Sequence, residues 1–182
     1  HNSPAYILKV SLAMKAAFAD RNRHMADEQF EEVPLEWMTS AARAVEWREV
    51  IASGQPIDVG RQQADSGTTH VSVVDAAGNC VSLTHSLGTS SGVITDGLGF
   101  MYNNSMVNFD PYPGNPNSIA PRKGRTTGMT PTIVLRDGRP VLVLGAPGAT
   151  RIITSVLQVI LNHLEFGMSI TDAVHVARFD CQ

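Results

Sequence analysis

Cysteine is scarce in this chain: Cys80 and Cys181 are the only two. They make neither a disulfide framework nor a metal-binding spacing, so both are read as free thiols. Charge of one sign is also missing. Lys and Arg number 14 against 17 Asp and Glu, a formal net charge of −3, and without a basic excess nucleic acid is not an expected partner. Long hydrophobic runs are absent. The longest apolar helix candidate, residues 152–164, is interrupted by Thr154, Ser155, Gln158 and Asn162, too short and too polar to span a membrane. No secretory signal is visible. The chain opens on His1-Asn2-Ser3-Pro4 without an initiator Met, so the gene product is expected to start upstream and the compartment stays open. There is no internal repeat and no low-complexity tract. What remains is 43% hydrophobic and 17% charged residues over 182 positions, the composition and length of one soluble globular domain.

Order along the chain changes character once. Ser3-Pro4 reads as an N-cap with proline at the first helical position, and Ile7, Val10, Met14 and Phe18 recur at helical spacing, which predicts a helix over about residues 4–20. A second helix, capped by Thr39 or Ser40, runs to about Ala52 and stops at Ser53-Gly54. Residues 54–67 have no periodicity and read as an exposed linker, where a chain break disturbs least. From Thr69 onward short strands alternate with glycine-rich loops. Residues 69–75 and 80–87 flank Ala76-Ala77-Gly78-Asn79 as a hairpin, and residues 132–135 and 140–144 flank Asp137-Gly138 as another. The irregular stretch between them, residues 105–130, is rich in Pro and Gly and reads as a site-covering loop. Gly145-Ala146-Pro147-Gly148-Ala149 then opens a helix from about Thr150 to Glu165, and Ser169 caps a last one over about 170–177.

The junction Gly67-Thr68-Thr69-His70 carries the chemistry. Cutting the Gly67–Thr68 peptide would give Thr68 a free α-amine beside its own hydroxyl, and that amine can act as general base for the hydroxyl. If Asp75 pairs with Cys80, Thr68 falls opposite Leu87 and Thr69 opposite Ser86, which leaves the Ser86 hydroxyl diagonal to Thr68 and able to orient it. An ordinary half-buried strand serine fits the same spacing. The Gly145–Ala149 turn aims backbone N–H groups and a helix N-terminus outward, a cradle for phosphate or for the oxyanion of an acyl-transfer intermediate. It lacks the Gly-Lys-Ser/Thr ending of a phosphate loop, and no Gly-x-Ser-x-Gly elbow is present. His70 and His85 lie on different strands with no carboxylate at ligand spacing, so no metal site is expected.

The combination of Phe18-Ala19-Asp20-Arg21, Gly67-Thr68-Thr69-His70, Ser72-Val73-Val74-Asp75, Gly78-Asn79, Asn103-Asn104, Met129-Thr130-Pro131-Thr132-Ile133-Val134 and Gly145 through Ile153 resembles the γ-glutamyltranspeptidase family of N-terminal-nucleophile hydrolases. The match in order and spacing runs over essentially the whole chain. The resemblance implies an α+β fold, a four-layer αββα sandwich that this chain holds incompletely. Residues 1–67 would be the end of the large subunit and residues 68–182 most of the small one, with the remainder of both subunits as partners. It implies self-cleavage between Gly67 and Thr68 and an acyl-enzyme on Thr68, with no cofactor. Ser86 falls where the family keeps a hydroxyl against the nucleophile, and the N–H groups of Gly148 and Ala149 fall at its oxyanion hole.

Departures from the family pattern fall on substrate recognition. Gly88 stands where the family has asparagine, Ser105 where it has glutamine or glutamate, Asn108 where it has aspartate, and Thr127-Gly128 where it has two serines. The resemblance therefore implies a small-molecule amide substrate other than a standard γ-glutamyl compound, in the acylase-like branch. A true γ-glutamyltransferase or glutathione hydrolase, and an unprocessed and catalytically silent homologue, are the alternatives.

Overall fold

The computed structural model describes residues 1–60 and 67–182. The chain divides into two compact units. One holds residues 1–63, 108–126 and 180–182, the other residues 64–107 and 127–179. The linker reading of residues 54–67 falls partly outside the described residues.

The first unit is helical. Helix α1 spans Pro4–His24, a turn longer than its periodicity predicts, with the Ser3 hydroxyl accepting from the Tyr6 N–H and Pro4 in the first turn. Only its second half is buried, on Met14, Ala16, Phe18, Ala19 and Asp20. Ile7 and Leu8 stay exposed. The single turn α2 (Leu35–Met38) precedes α3 (Ala41–Ala52), capped by Ser40 accepting from the Arg43 N–H. Asp20, 5% exposed, joins α1 to α3 by accepting two hydrogen bonds from the Arg43 guanidinium and one from Trp47 Nε1 at 2.7 Å. The guanidinium also lies over the Trp37 and Trp47 rings, 4.3 and 4.6 Å from their centres. Both tryptophans pack against the Arg43 side chain.

Residues 108–126 belong to this unit as an irregular loop with specific anchors. Asp27 accepts from the Gly124 N–H at 2.6 Å. The Lys123 ammonium, 4% exposed, donates to the Pro116 carbonyl at 2.7 Å, pairs with Glu31 at 3.9 Å and faces the Phe30 ring.

The second unit carries two antiparallel hairpins, β1 (Thr68–Val74) with β2 (Cys80–Ser86) and β3 (Thr132–Arg136) with β4 (Arg139–Leu144). The β1–β2 register corrects the sequence reading by one residue. Val74 pairs with Cys80, and Thr68 lies directly opposite Ser86 rather than Leu87. The cause is the turn. Asp75 pairs through its N–H with the Asn79 carbonyl, and its carboxylate accepts from the Ala77 and Asn79 N–H groups, so five residues close the hairpin instead of four. The Asn79 side-chain amide and then its N–H hold the Asp75 carboxyl below the usual carboxylate range.

The two faces of β1–β2 differ. One is polar, with Thr68, His70 and Ser72 facing Ser86, Thr84 and Ser82. The other carries Val71, Val73, Val81 and Leu83, all exposed. Helix α4 (Arg151–Leu164) supplies much of the core through Ile152, Val156 and Val159. Three of the four polar residues that interrupt its apolar run, Thr154, Gln158 and Asn162, lie on the buried side at i, i+4 and i+8. Gln158 donates to the Thr154 and Phe179 carbonyls and accepts from the Phe179 N–H, and Asn162 donates to the Ala173 carbonyl. Helix α5 (Ile170–His175) is capped by Ser169. Among the described residues no helix is long and apolar enough to cross a membrane. Both cysteines are free and half-buried.

Candidate active site

The one-residue change in register turns a diagonal neighbour into a direct one. Thr68 Oγ1 donates to Ser86 Oγ at 2.9 Å, and Ser86 Oγ also accepts from the Gly88 N–H at 3.0 Å. Ser86 thus sits between a threonine hydroxyl and a loop N–H. The Leu87 N–H donates to the Gly67 carbonyl at 3.4 Å, which continues the ladder past Thr68 and places a donor on the carbonyl of the Gly67–Thr68 bond. Gly67 has φ 103°, and a Cβ there would run into the Gly88 carbonyl oxygen. Glycine is required at that position on both counts. Gly88, expected as a substrate-binding position, is buried and helps shape the junction itself.

The glycine-rich turn lies between β4 and α4, as its sequence predicts. Gly148 has φ 132° and Ala149 φ 61°, both in the region that favours glycine, so Ala149 holds a backbone shape that costs an L-residue energy. Gly128 backs this turn, since a Cβ on it would stand 2.9 Å from the Ala149 carbonyl oxygen. Two of the expected site positions, Gly128 and Ala149, thus touch. Thr127 Oγ1 accepts from the Met129 N–H. Ser105 and Asn108 bound the short 3-10 turn Ser105–Asn108, and Asn108 belongs to the first unit, where its carbonyl accepts from Asn117. Thr68, Ser86, Gly88, Gly148, Ala149, Thr127 and Gly128 share the second unit.

His70 is the residue whose setting the spacing does not reveal. Nδ1 meets Thr84 Oγ1 at 2.8 Å and Nε2 meets Ser72 Oγ at 3.0 Å, so both ring nitrogens are occupied by hydroxyls. Its i, i+2 relation to Thr68 puts the two on one strand face, the only signal the sequence offers. No group of His, Cys, Asp or Glu among the described residues has metal-binding geometry.

The family model described as gamma-glutamyltranspeptidase matches residues 1–182. The chain belongs to the γ-glutamyltranspeptidase family. Among curated proteins it is 43% identical over 173 residues to the Acylase ACY 1 proenzyme of a Pseudomonas species, covering 91% of this chain and 31% of that protein. It is 34% identical over 195 residues to the glutathione hydrolase proenzyme of Escherichia coli, covering 93% of this chain and 33% of that protein. The chain thus spans about a third of the length of the curated relatives it matches. Among solved structures it resembles a threonine-to-alanine mutant of Helicobacter pylori γ-glutamyltranspeptidase, with TM-score 0.59, 43% identity, and coverage of 63% of this chain and 68% of that one. The Pseudomonas nitroreducens enzyme complexed with L-DON gives TM-score 0.60 at 41% identity, with coverage of 63% and 65%. These neighbours agree with the α+β fold of this γ-glutamyltranspeptidase-family chain.

Proposed function

We propose that this chain is the catalytic part of a self-processing amide hydrolase or acyltransferase with Thr68 as its N-terminal nucleophile. The observation that carries this reading is the 2.9 Å hydrogen bond from Thr68 Oγ1 to Ser86 Oγ, made at the junction where Gly67 precedes the strand. In self-cleavage Thr68 Oγ1 attacks the Gly67 carbonyl carbon, the peptide C–N bond breaks and its nitrogen takes the hydroxyl proton. That shift frees the Thr68 α-amine, and water then hydrolyses the ester, releasing Gly67 as a carboxylate and restoring the Thr68 hydroxyl. In turnover that amine takes the hydroxyl proton as Oγ1 attacks the substrate amide, and returns it to the leaving amine. The N–H groups of Gly148 and Ala149 receive the developing oxyanion. Residues 1–67 and 68–182 belong to the large and small subunits on this reading. The exposed apolar face of Val71, Val73, Val81 and Leu83 supports the finer expectation of a four-layer sandwich, because such a face needs a second layer.

For the acyl group, the absence of polar side chains at Gly88 and Gly128 and of an acid at Asn108 supports a substrate without the full α-amino acid head. Glutathione or another γ-glutamyl amide is the second reading.

Intact mass under denaturing conditions tests the nucleophile. Wild type should give two polypeptides summing to the uncut mass plus one water, and Thr68→Ala one polypeptide. A single uncut wild-type chain that also turns over no amide would sink the reading. Comparing γ-glutamyl p-nitroanilide with glutaryl p-nitroanilide, which lacks only the α-amine, separates the two substrate readings.

A further inference from the structure

Gly145 begins the turn that ends on Gly148 and Ala149, and it does not need to be glycine for its own backbone. Its φ is not among the positive values that Gly148 and eleven other glycines adopt. What excludes a side chain is His70. A Cβ on Gly145 would overlap Cε1, Nδ1 and Nε2 of the ring at once. The imidazole cannot swing clear without losing hydrogen bonds, because Thr84 and Ser72 hold its two nitrogens at 2.8 and 3.0 Å. The next rung of the same polar face reaches the same place, with Ser82 Oγ donating to the Leu144 carbonyl at 2.9 Å. So the strand pair that bears Thr68 and Ser86 is strapped, through His70 and Ser82, to the two residues from which the glycine turn springs.

We propose that His70 is a positioning residue: its hydroxyl-locked ring seats Gly145 and thereby sets where the Gly148 and Ala149 N–H groups stand relative to the Thr68 strand. This deepens the proposed function and rests on it. The ring is not a proton relay to Thr68. It lies two residues along the strand, about 7 Å away by strand rise, and its nitrogens are already engaged. Its contribution is the separation between nucleophile and oxyanion donors, and a misplacement of about 1 Å there can cost on the order of 100-fold in rate.

The test is a double-mutant cycle in the full-length protein with His70→Ala, Gly145→Ala and the pair together. Turnover of γ-glutamyl and glutaryl p-nitroanilide is measured on folded, mass-checked protein. Each single variant should lose about 10- to 100-fold in kcat with KM within about threefold, the signature of displaced transition-state donors. The pair should be no worse than His70→Ala alone, because removing the ring makes room for the Gly145 methyl. Additive losses, an unchanged kcat, or a change confined to KM would overturn the proposal. Assigned amide resonances of Gly148 and Ala149 give a readout that does not depend on turnover. They should move in both single variants and, in the pair, stand where they stand in His70→Ala, and resonances that stay put overturn the proposal too. A wild type that neither cuts itself nor turns over either probe defeats the nucleophile reading, and then the resonances alone decide whether the strap exists.

Discussion

Thr68 and Ser86 are a directly opposed pair on antiparallel strands, and their hydroxyls meet at 2.9 Å. Opposed side chains on one sheet face are the closest neighbours a strand pair offers. The orientation of the Thr68 hydroxyl therefore depends on one serine. On the proposed mechanism, Ser86→Ala should lower kcat by about 10- to 100-fold while leaving KM nearly unchanged, because only the aim of the Thr68 hydroxyl is lost. Ser86→Thr should retain most of the rate, since it keeps the hydroxyl and suits a strand. Steady-state kinetics on the anilide probes, beside intact-mass time courses of self-cleavage, check both. Equal rates in Ser86→Ala and wild type would make the serine a packing residue.

Gly67 should be intolerant of any side chain. Its φ of 103° and the adjoining Gly88 carbonyl both exclude a Cβ. Gly67→Ala should shift the Gly67 carbonyl away from the Leu87 N–H and from Thr68 Oγ1, and slow self-cleavage at least about tenfold. The half-time of conversion from one band to two is the measurement.

Ala149 is strained where it stands. An L-residue in the left-handed region costs roughly 1–2 kcal/mol, and the unfolded-chain entropy of glycine returns about 0.5–1 of it, so Ala149→Gly should stabilise by on the order of 0.5–1 kcal/mol. Gly148→Ala, at φ 132°, should destabilise by more than that and lower kcat as well. Denaturant midpoints of the two variants should move in opposite directions.

Much of this is legible in the sequence alone. Ser3 and Ser169 cap the helices their positions predict, Ser40 rather than Thr39 caps α3, and both hairpins and α4 lie where their patterns put them. Local chemistry decides such features, so one sequence suffices. The misses are of two kinds. The register slipped by one because an aspartate can recruit its own turn, as Asp75 does through Ala77 and Asn79, and that choice between four and five residues is invisible to alternation. The contacts of His70 with Gly145 and of Asp27 with Gly124 join residues far apart in the chain, and no periodicity encodes them.

The loop over residues 108–126 should come loose when its anchors go. Lys123 is bonded to Pro116 and paired with Glu31, and Asp27 holds the neighbouring Gly124 N–H. That N–H, the Gln29 N–H and Lys123 keep the Asp27 carboxyl below the usual carboxylate range, so the anchor is ionised at neutral pH. Lys123→Ala and Asp27→Ala should each speed tryptic cutting after Arg122 and Arg125 several-fold without moving the global unfolding midpoint much, since local opening suffices for cleavage. Mass mapping of early tryptic fragments checks it. Unchanged cutting in both variants would show that the loop is held elsewhere.

Asp20 should make the first unit sensitive to acid. Burial alone would raise its pKa, but the hydrogen bonds from Arg43 and Trp47, with the Arg43 charge, outweigh burial and leave it lowered. Arg43 is raised in turn, first of all by its hydrogen bonds to Asp20. A carboxyl whose folded pKa is depressed adds stability that is fully present above its unfolded value, about 3.9, and that disappears as pH falls through the folded value. Asp20→Asn keeps the shape and removes the charge. The gap in unfolding midpoint between wild type and Asp20→Asn should therefore be wide at neutral pH, begin to close below about pH 4 and vanish in stronger acid. At neutral pH Asp20→Ala should cost about 2–4 kcal/mol, somewhat under the usual figure for breaking a buried pair, because Arg43 keeps Glu46 at 2.6 Å. Urea midpoints measured from acid to neutral pH on the three proteins decide it. A gap that stays constant across that range would mean that the Asp20 carboxylate contributes through shape and hydrogen bonding alone.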